Sequence, residues 1–232
     1  MKKYSWLLFD ADGTLFDFDK SQKKALESIF SELQLDFHEE YHIFYSRVNK
    51  AMWEKREQGL IGVQELKTNR FKNFFKEIKI KADFEKAGRD YLYFLSRESH
   101  LLSGAENLIH ELARTYNLVL ITNGLTTVQK PRFNVSPITR YFKEVIISEE
   151  VGFSKPDKAI FDLTFDRIKN PPKKEVVIIG DNLGSDILGG ITYGIDTIWY
   201  NPSESDNTKN IIPTFEVNSF NQLSEILKNI NS

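Results

Sequence analysis

The sequence contains no cysteine. That removes disulfides, a thiolate nucleophile and sulfur ligands, so any metal must be held by oxygen or by histidine. The four histidines, His38, His42, His100 and His110, share no ligand spacing with carboxylates and read as surface or structural residues. Charge of one sign is also scarce. A net charge of −2 over 232 residues gives too weak a field to argue for a nucleic-acid polymer or an anionic membrane as partner. No stretch approaches the roughly 20 apolar residues needed to span a bilayer. The apolar run behind Met1-Lys2-Lys3-Tyr4 is far too short for a signal peptide and stops on aspartate, so a cytoplasmic location is expected. There is no internal repeat and no low-complexity tract.

What remains is ordinary in bulk: 41% hydrophobic and 28% charged residues, typical of a soluble globular chain with room for one large domain or a core plus an insert. The informative stretch is Trp6-Leu7-Leu8-Phe9-Asp10-Ala11-Asp12-Gly13-Thr14-Leu15. An unbroken apolar run predicts a strand buried on both faces, as in a parallel sheet covered by helices. The carboxyl end of such a strand is where open α/β sheets place ligands. After Leu15 the spacing becomes helical. Ala25, Leu26, Ile29, Phe30 and Leu33 mark one helix, with Asp19 placed to cap it; Phe44, Val48, Ala51 and Met52 mark a second, which Gln58-Gly59 can end. Leu66, Arg70, Phe71, Phe74, Phe75 and Ile78 mark a third, and Phe84, Ala87, Tyr91, Phe94 and Leu95 a fourth. No convincing strand interrupts Asp17 to Arg97.

Beyond Ser103-Gly104 strands and helices alternate. Strands are expected at Leu118 to Thr122, Val145 to Ile147, Val176 to Gly180, Thr197 to Tyr200 and Phe215 to Val217. Helices are expected from Ala105 to Tyr116, from Lys158 to Lys169, broken by Asn170-Pro171-Pro172, and from Ser219 onward. Alternation of this kind implies βαβ crossovers. The predicted fold class is therefore α/β: a Rossmann-like parallel sheet core built from residues 1–16 and 98–232, with an inserted all-helical cap at 17–97, a core with a lid.

Three strands of this core end on polar residues, Asp10 with Asp12, Thr122 with Asn123-Gly124, and Gly180-Asp181-Asn182, and strand ends of one parallel sheet share an edge. The loop Gly152-Phe153-Ser154-Lys155-Pro156-Asp157 adds an ammonium stiffened by proline. Taken singly these signals are modest. Asp-x-Asp-Gly occurs in turns and calcium loops, although an EF-hand would need other residues at Thr14 and Leu15. Asn-Gly is often a hairpin turn, and Lys155-Pro156 alone reads as a solvated loop.

Together, in this order, the clusters DADGT, LVLITNG, GFSKPD and GDNLGSD resemble the four motifs of the haloacid dehalogenase superfamily (the HAD fold) across the whole core, and a helical insert directly after the first motif is similar to that superfamily's cap. The resemblance implies a Mg²⁺-dependent phosphomonoester hydrolase. It casts Asp10 as the nucleophile that forms an aspartyl-phosphate and Asp12 as the general acid and base. It gives Mg²⁺ to Asp10, the Asp12 carbonyl and Asp181. Thr122, Asn123 and Lys155 then fall on the phosphate, and Asp186 lies one layer behind, orienting Lys155 or a water on the metal. A closer resemblance extends into the insert. Asn49-Lys50-Ala51-Met52-Trp53, Glu57-Gln58-Gly59, ITNGLTTVQKPRF, ISEEVGFSKPDKAIFD and GIDTIWYNP are similar to the noncanonical pyrimidine nucleotidases of the YjjG type. That family implies a small-molecule substrate, a pyrimidine nucleoside 5′-monophosphate such as UMP, dUMP or dTMP. The chain departs from it at Gly13, where many members carry an acid, and at Ser136-Pro137-Ile138. In the cap, Tyr45, Trp53 and Phe71 could wall a pyrimidine ring, with Arg47 or Asn49 at its polar edge, although aromatics at helical spacing are more often core. Other readings are a phosphoglycolate- or sugar-phosphate phosphatase, a phosphosugar mutase, a haloacid dehalogenase, which Asp12 argues against, and a non-catalytic binding protein. Oligomeric state does not follow from the sequence.

Overall fold

The computed structural model describes residues 4–208 and 210–231. Met1–Lys3, Lys209 and Ser232, which fall within the expected core spans, lie outside the described residues. The chain divides into two compact units. One comprises residues up to Asp17, Leu101–Thr126 and the chain from Phe133 onward; the other comprises Phe18–His100 with Thr127–Arg132.

The first unit is built on a six-stranded parallel sheet. Its strands are β1 (Trp6–Phe9), β2 (Asn117–Thr122), β3 (Phe142–Ile147), β4 (Val176–Gly180), β5 (Asp196–Tyr200) and β6 (Phe215–Val217), in the order β3-β2-β1-β4-β5-β6. β1 lies between two neighbours, with Leu7 level with both Leu118 and Val177. Its alternate residues therefore feed two cores. Leu7 and Phe9 pack with α5 (Ala105–Leu112) and α10 (Phe220–Asn231) on one face, while Leu8 packs with α8 (Lys158–Arg167) and α9 (Leu188–Tyr193) on the other. Both faces are dry, which is why β1 tolerates no polar alternation. The strand order reverses direction between β1 and β4, and the carboxyl ends of strands at such a switch point form the usual ligand crevice. Two further helices, α6 (Thr126–Val135) and α7 (Ser148–Val151), follow β2 and β3.

The second unit contains α1 (Phe18–Glu32), α2 (Glu39–Glu57), α3 (Val63–Glu77) and α4 (Phe84–Leu95). Phe30, Tyr45, Phe71, Phe74 and Tyr91 form its ring cluster, with Tyr45 5.1 Å from Phe71 and 5.3 Å from Phe74 between centroids. Gly88 lets α4 approach α3, since a Cβ there would lie 2.8 Å from the Lys67 carbonyl oxygen. Asp83 caps α4 by accepting from the backbone N–H groups of Glu85 and Lys86 at 3.0 and 2.9 Å. Asp19, expected as the cap of α1, instead falls inside its first turn and faces His42 Nε2 at 3.1 Å. Arg47 is exposed and paired with Glu77. Among the described residues no helix is long and apolar enough to cross a membrane.

Candidate active site

Asp10 follows β1 directly, and its backbone N–H donates to the Ile179 carbonyl at 2.9 Å, so the chain leaves the sheet level with the end of β4. The loop then folds back on itself. Leu15 and Phe16 both donate to the Ala11 carbonyl, and Gly13, at φ +88°, donates to Phe16. A Cβ at Gly13 would sit 2.5 Å from Asp181 Oδ2, so glycine is required there twice over, by conformation and by space. Thr14 donates its hydroxyl to Asp181 Oδ1 at 3.1 Å and holds that carboxylate against the loop.

Lys155 is completely buried. Its ammonium donates to Asp10 Oδ1 at 2.5 Å and to the Ile121 carbonyl at 2.7 Å, and lies 2.7 Å from Asp186 Oδ1 in an ion pair without hydrogen-bond alignment. Its main chain is fixed independently. Asn123 donates its amide to the Lys155 carbonyl and accepts from the Lys155 N–H, each at 2.8 Å. Asn123, expected on the phosphate, thus spends both ends of its carboxamide on positioning the lysine. The Lys155–Pro156 peptide is cis. Thr122, also buried, ends β2 beside the Ile121 anchor.

Asp186 sits in a π-helical turn, Leu183–Ile187, capped by Asn182, whose side chain accepts from Gly184 and Ser185. Its Oδ2 accepts from the Asn182 N–H at 3.0 Å, and glycine at 180 leaves the room its carboxylate occupies. The indole of Trp199 donates to the Asp181 carbonyl at 2.9 Å. Carboxylate oxygens of Asp10, Asp181 and Asp186 all lie within 4.8 Å of one another. Asp12, half-buried two residues beyond Asp10, is outside that trio. Asp186 is inside it, paired with Lys155 at 2.7 Å.

Three carboxylates against one ammonium leave the site strongly negative. Burial raises Asp10 well above the usual carboxylate range; Lys155 opposes that rise, while Asp186 and Asp181 add to it. Burial also lifts Asp181 to about 7, reinforced by Asp186 and opposed by the Thr14 hydroxyl. For Lys155, burial pulls the ammonium down, but Asp10 and Asp186 outweigh it and leave it raised. An all-oxygen, acceptor-only cluster with this charge fits a hard divalent cation.

Thr14 and Trp199 both hold Asp181, Thr14 from inside the DADGT motif, which signals it, and Trp199 from a strand where nothing local marks it.

A family model described as haloacid dehalogenase-like hydrolase matches residues 7–200. The chain is 38% identical over 229 residues to the pyrimidine 5′-nucleotidase PynA of Streptococcus pneumoniae, covering 98% of this chain and 97% of that protein. It is 32% identical over 225 residues to the pyrimidine 5′-nucleotidase YjjG of Escherichia coli, covering 97% and 98%. It is also 35% identical over 227 residues to the HAD-hydrolase YfnB of Bacillus subtilis, covering 98% and 97%. A crystal structure of YfnB bound to magnesium superposes with a TM-score of 0.92 at 34% identity, covering 97% of this chain and 99% of that one.

Proposed function

This chain belongs to the haloacid dehalogenase-like hydrolases and is a phosphatase of that family, and from that premise we propose that it hydrolyses pyrimidine nucleoside 5′-monophosphates through an aspartyl-phosphate on Asp10. The observation that carries the chemistry is the pairing of buried Asp10 with Lys155 inside a cluster of two further carboxylates. The substrate class is supported by two full-length relatives that are pyrimidine 5′-nucleotidases.

In this reading Lys155 holds one oxygen of Asp10 and leaves the other to attack phosphorus, forming an acyl phosphate and expelling the 5′-alkoxide of the nucleoside. Asp12 protonates that alkoxide and then takes a proton from the water that hydrolyses the acyl phosphate, work worth roughly 10²- to 10⁴-fold. The Thr122 hydroxyl and the Lys155 ammonium face the phosphoryl oxygens as charge spreads over them. Asn123 acts through Lys155. Asp10, the Asp12 carbonyl and Asp181, with Asp186 beside them, would hold Mg²⁺, which when bound supplies charge neutralisation for an anionic substrate meeting an anionic nucleophile.

The test is inorganic phosphate release from UMP, dUMP, dTMP, purine monophosphates, phosphoglycolate and hexose phosphates, with Mg²⁺ or with excess chelator, beside Asp10→Asn. The expected result is a lead for pyrimidine monophosphates, abolished by chelator and by Asp10→Asn. Metal-dependent release led by phosphoglycolate or a sugar phosphate would overturn the substrate and keep the mechanism; activity surviving Asp10→Asn would overturn the mechanism.

A further inference from the structure

Asp181 differs from the other two carboxylates of its cluster in what holds it. Asp10 and Asp186 share the Lys155 ammonium at 2.5 and 2.7 Å, whereas among the described residues no ammonium or guanidinium pairs with Asp181. Its carboxylate takes a hydrogen bond from a neutral donor, the Thr14 hydroxyl, and lies against Gly13. Asp186 works against that placement, because carboxylates this close repel each other. Before a cation binds, neutral contacts keep Asp181 in place.

Its main chain depends on one such contact. The ladder between β4 and β5 ends with Gly180 level with Trp199, so Asp181 is the first residue past it. On the facing chain the N–H of Asn201 turns away and donates to the Val217 carbonyl of β6 at 2.7 Å. The Trp199 indole supplies a donor where the ladder stops, and reaches the Asp181 carbonyl at 2.9 Å. Trp199 is buried, and a buried indole N–H without a partner is costly, so ring and carbonyl fix each other. Two residues further on the chain enters the π-helical turn that carries Asp186. The indole thus anchors the point from which both carboxylates are aimed. Gly13, Thr14, Asp181 and Trp199 all belong to the first compact unit.

We propose that Trp199 is a positioning residue of the cation site: its indole N–H fixes the Asp181 main chain and thereby sets the affinity for Mg²⁺. This rests on the metal-dependent phosphatase reading above. Ligands held in place before binding lose less freedom when the cation arrives, and partners one layer behind a metal ligand supply that order.

The test is calorimetric titration of the chelator-stripped full chain with Mg²⁺, well below its melting point, in the native form and in two variants. Trp199→Phe keeps an apolar ring and loses the donor. Trp199→benzothienylalanine keeps the two-ring shape as well and puts sulfur in place of the N–H. Both should weaken Mg²⁺ binding by about 10- to 100-fold, the usual cost of losing an outer partner of a metal ligand. Nuclear magnetic resonance gives a second readout. The Trp199 indole N–H resonance of the native chain, identified by its loss in Trp199→Phe, should shift with Mg²⁺ and saturate with the calorimetric curve. A tryptophan that only fills the core gives a lower melting midpoint in Trp199→Phe, native Mg²⁺ affinity in both variants and an unmoved resonance, and overturns the proposal. Should Trp199→Phe not fold, native affinity in Trp199→benzothienylalanine overturns it equally. If the native chain binds no Mg²⁺, the metal-dependent reading fails and takes this proposal with it; native binding that persists unchanged in the variants refutes this proposal alone.

Discussion

Replacing Lys155 with methionine tests the electrostatic frame of the site without changing side-chain length. In the native chain the ammonium is fully buried and touches Asp10 Oδ1 at 2.5 Å, Asp186 Oδ1 at 2.7 Å and the Ile121 carbonyl at 2.7 Å. Its removal leaves two buried carboxylates facing each other with no cation between them, and breaking a buried pair from one side costs about 3–5 kcal/mol. At roughly 2–4 °C per kcal/mol for a domain of this size, the melting point should fall by roughly 6–20 °C at pH 8 in chelator. The pH dependence has a fixed sign. A carboxyl whose folded pKa is raised, as for Asp10 and for Asp181 at about 7, binds more protons folded than unfolded. The stability these two groups contribute is therefore present below the unfolded carboxyl pKa and is lost as pH rises through their raised folded values, about 7 for Asp181. Without Lys155, Asp10 rises further, so the deficit of the variant widens from pH 5 to pH 8, and Mg²⁺ at pH 8 recovers part of it. Scanning calorimetry across that range is the assay. A variant within 2 °C of the native chain at pH 8, or a deficit independent of pH, would refute the argument that Lys155 is the counter-ion of the cluster.

Asn123→Ala removes both clamps on the Lys155 main chain; the expected cost is about 2 kcal/mol of stability by urea unfolding, with kcat down about tenfold while KM changes little. Gly13→Ala forces a φ of +88° on alanine and drives a methyl against Asp181, so a loss of about 1–2 kcal/mol from the backbone alone should accompany weaker Mg²⁺ binding by calorimetry. Asp83, held below the usual carboxylate range by the N–H of Lys86 and then by that of Glu85, stabilises α4 above the unfolded carboxyl pKa and loses that contribution as pH falls through its depressed value. Far-ultraviolet circular dichroism should therefore show helix lost below about pH 4 in the native chain and a smaller acid step in Asp83→Asn.

Much of this fold is legible in the sequence because the parallel core leaves a simple trace. β1, β2 and β4 are dry on both faces and appear as unbroken apolar runs. The edges are harder. β3 opens with Phe142-Lys143-Glu144, partly exposed on the border of the sheet, so only its second half, Val145 to Ile147, announces itself. Asp19 fits the chemistry of a cap but falls one residue inside the helix, an error that spacing alone cannot correct. Within the site, Asp10 and Asp181 are visible because an apolar run ends abruptly on each. Lys155 taken by itself reads as a solvated loop, since nothing nearby in sequence tells that its partner, Asp10, lies 145 positions away. Asn123 is conspicuous by its place after a strand, but nothing in the sequence tells that its carboxamide bonds the Lys155 main chain 32 positions away. Arg70 falls on the apolar stripe of its helix, and nothing nearby in sequence tells that it is buried against Asn49 of the neighbouring helix.

The charge arithmetic ties these pieces to the proposed chemistry. Asp10 can attack phosphorus only as a carboxylate, yet burial and two neighbouring carboxylates favour its protonated form. One ammonium offsets part of that, and with all three carboxylates ionised the cluster would carry two net negative charges before any substrate arrives. A phosphomonoester dianion would double the deficit. A divalent cation held by the same oxygens would cancel what Lys155 cannot, favouring the carboxylate form of Asp10 and easing its repulsion of a phosphate dianion. Lysine alone is therefore an insufficient counter-ion for a phosphate bound among these three carboxylates. In the proposed phosphatase chemistry the remaining charge would fall to a cation held by these oxygens, Asp181 among them, and so to Thr14, which bonds that carboxylate, and Gly13, which leaves it room.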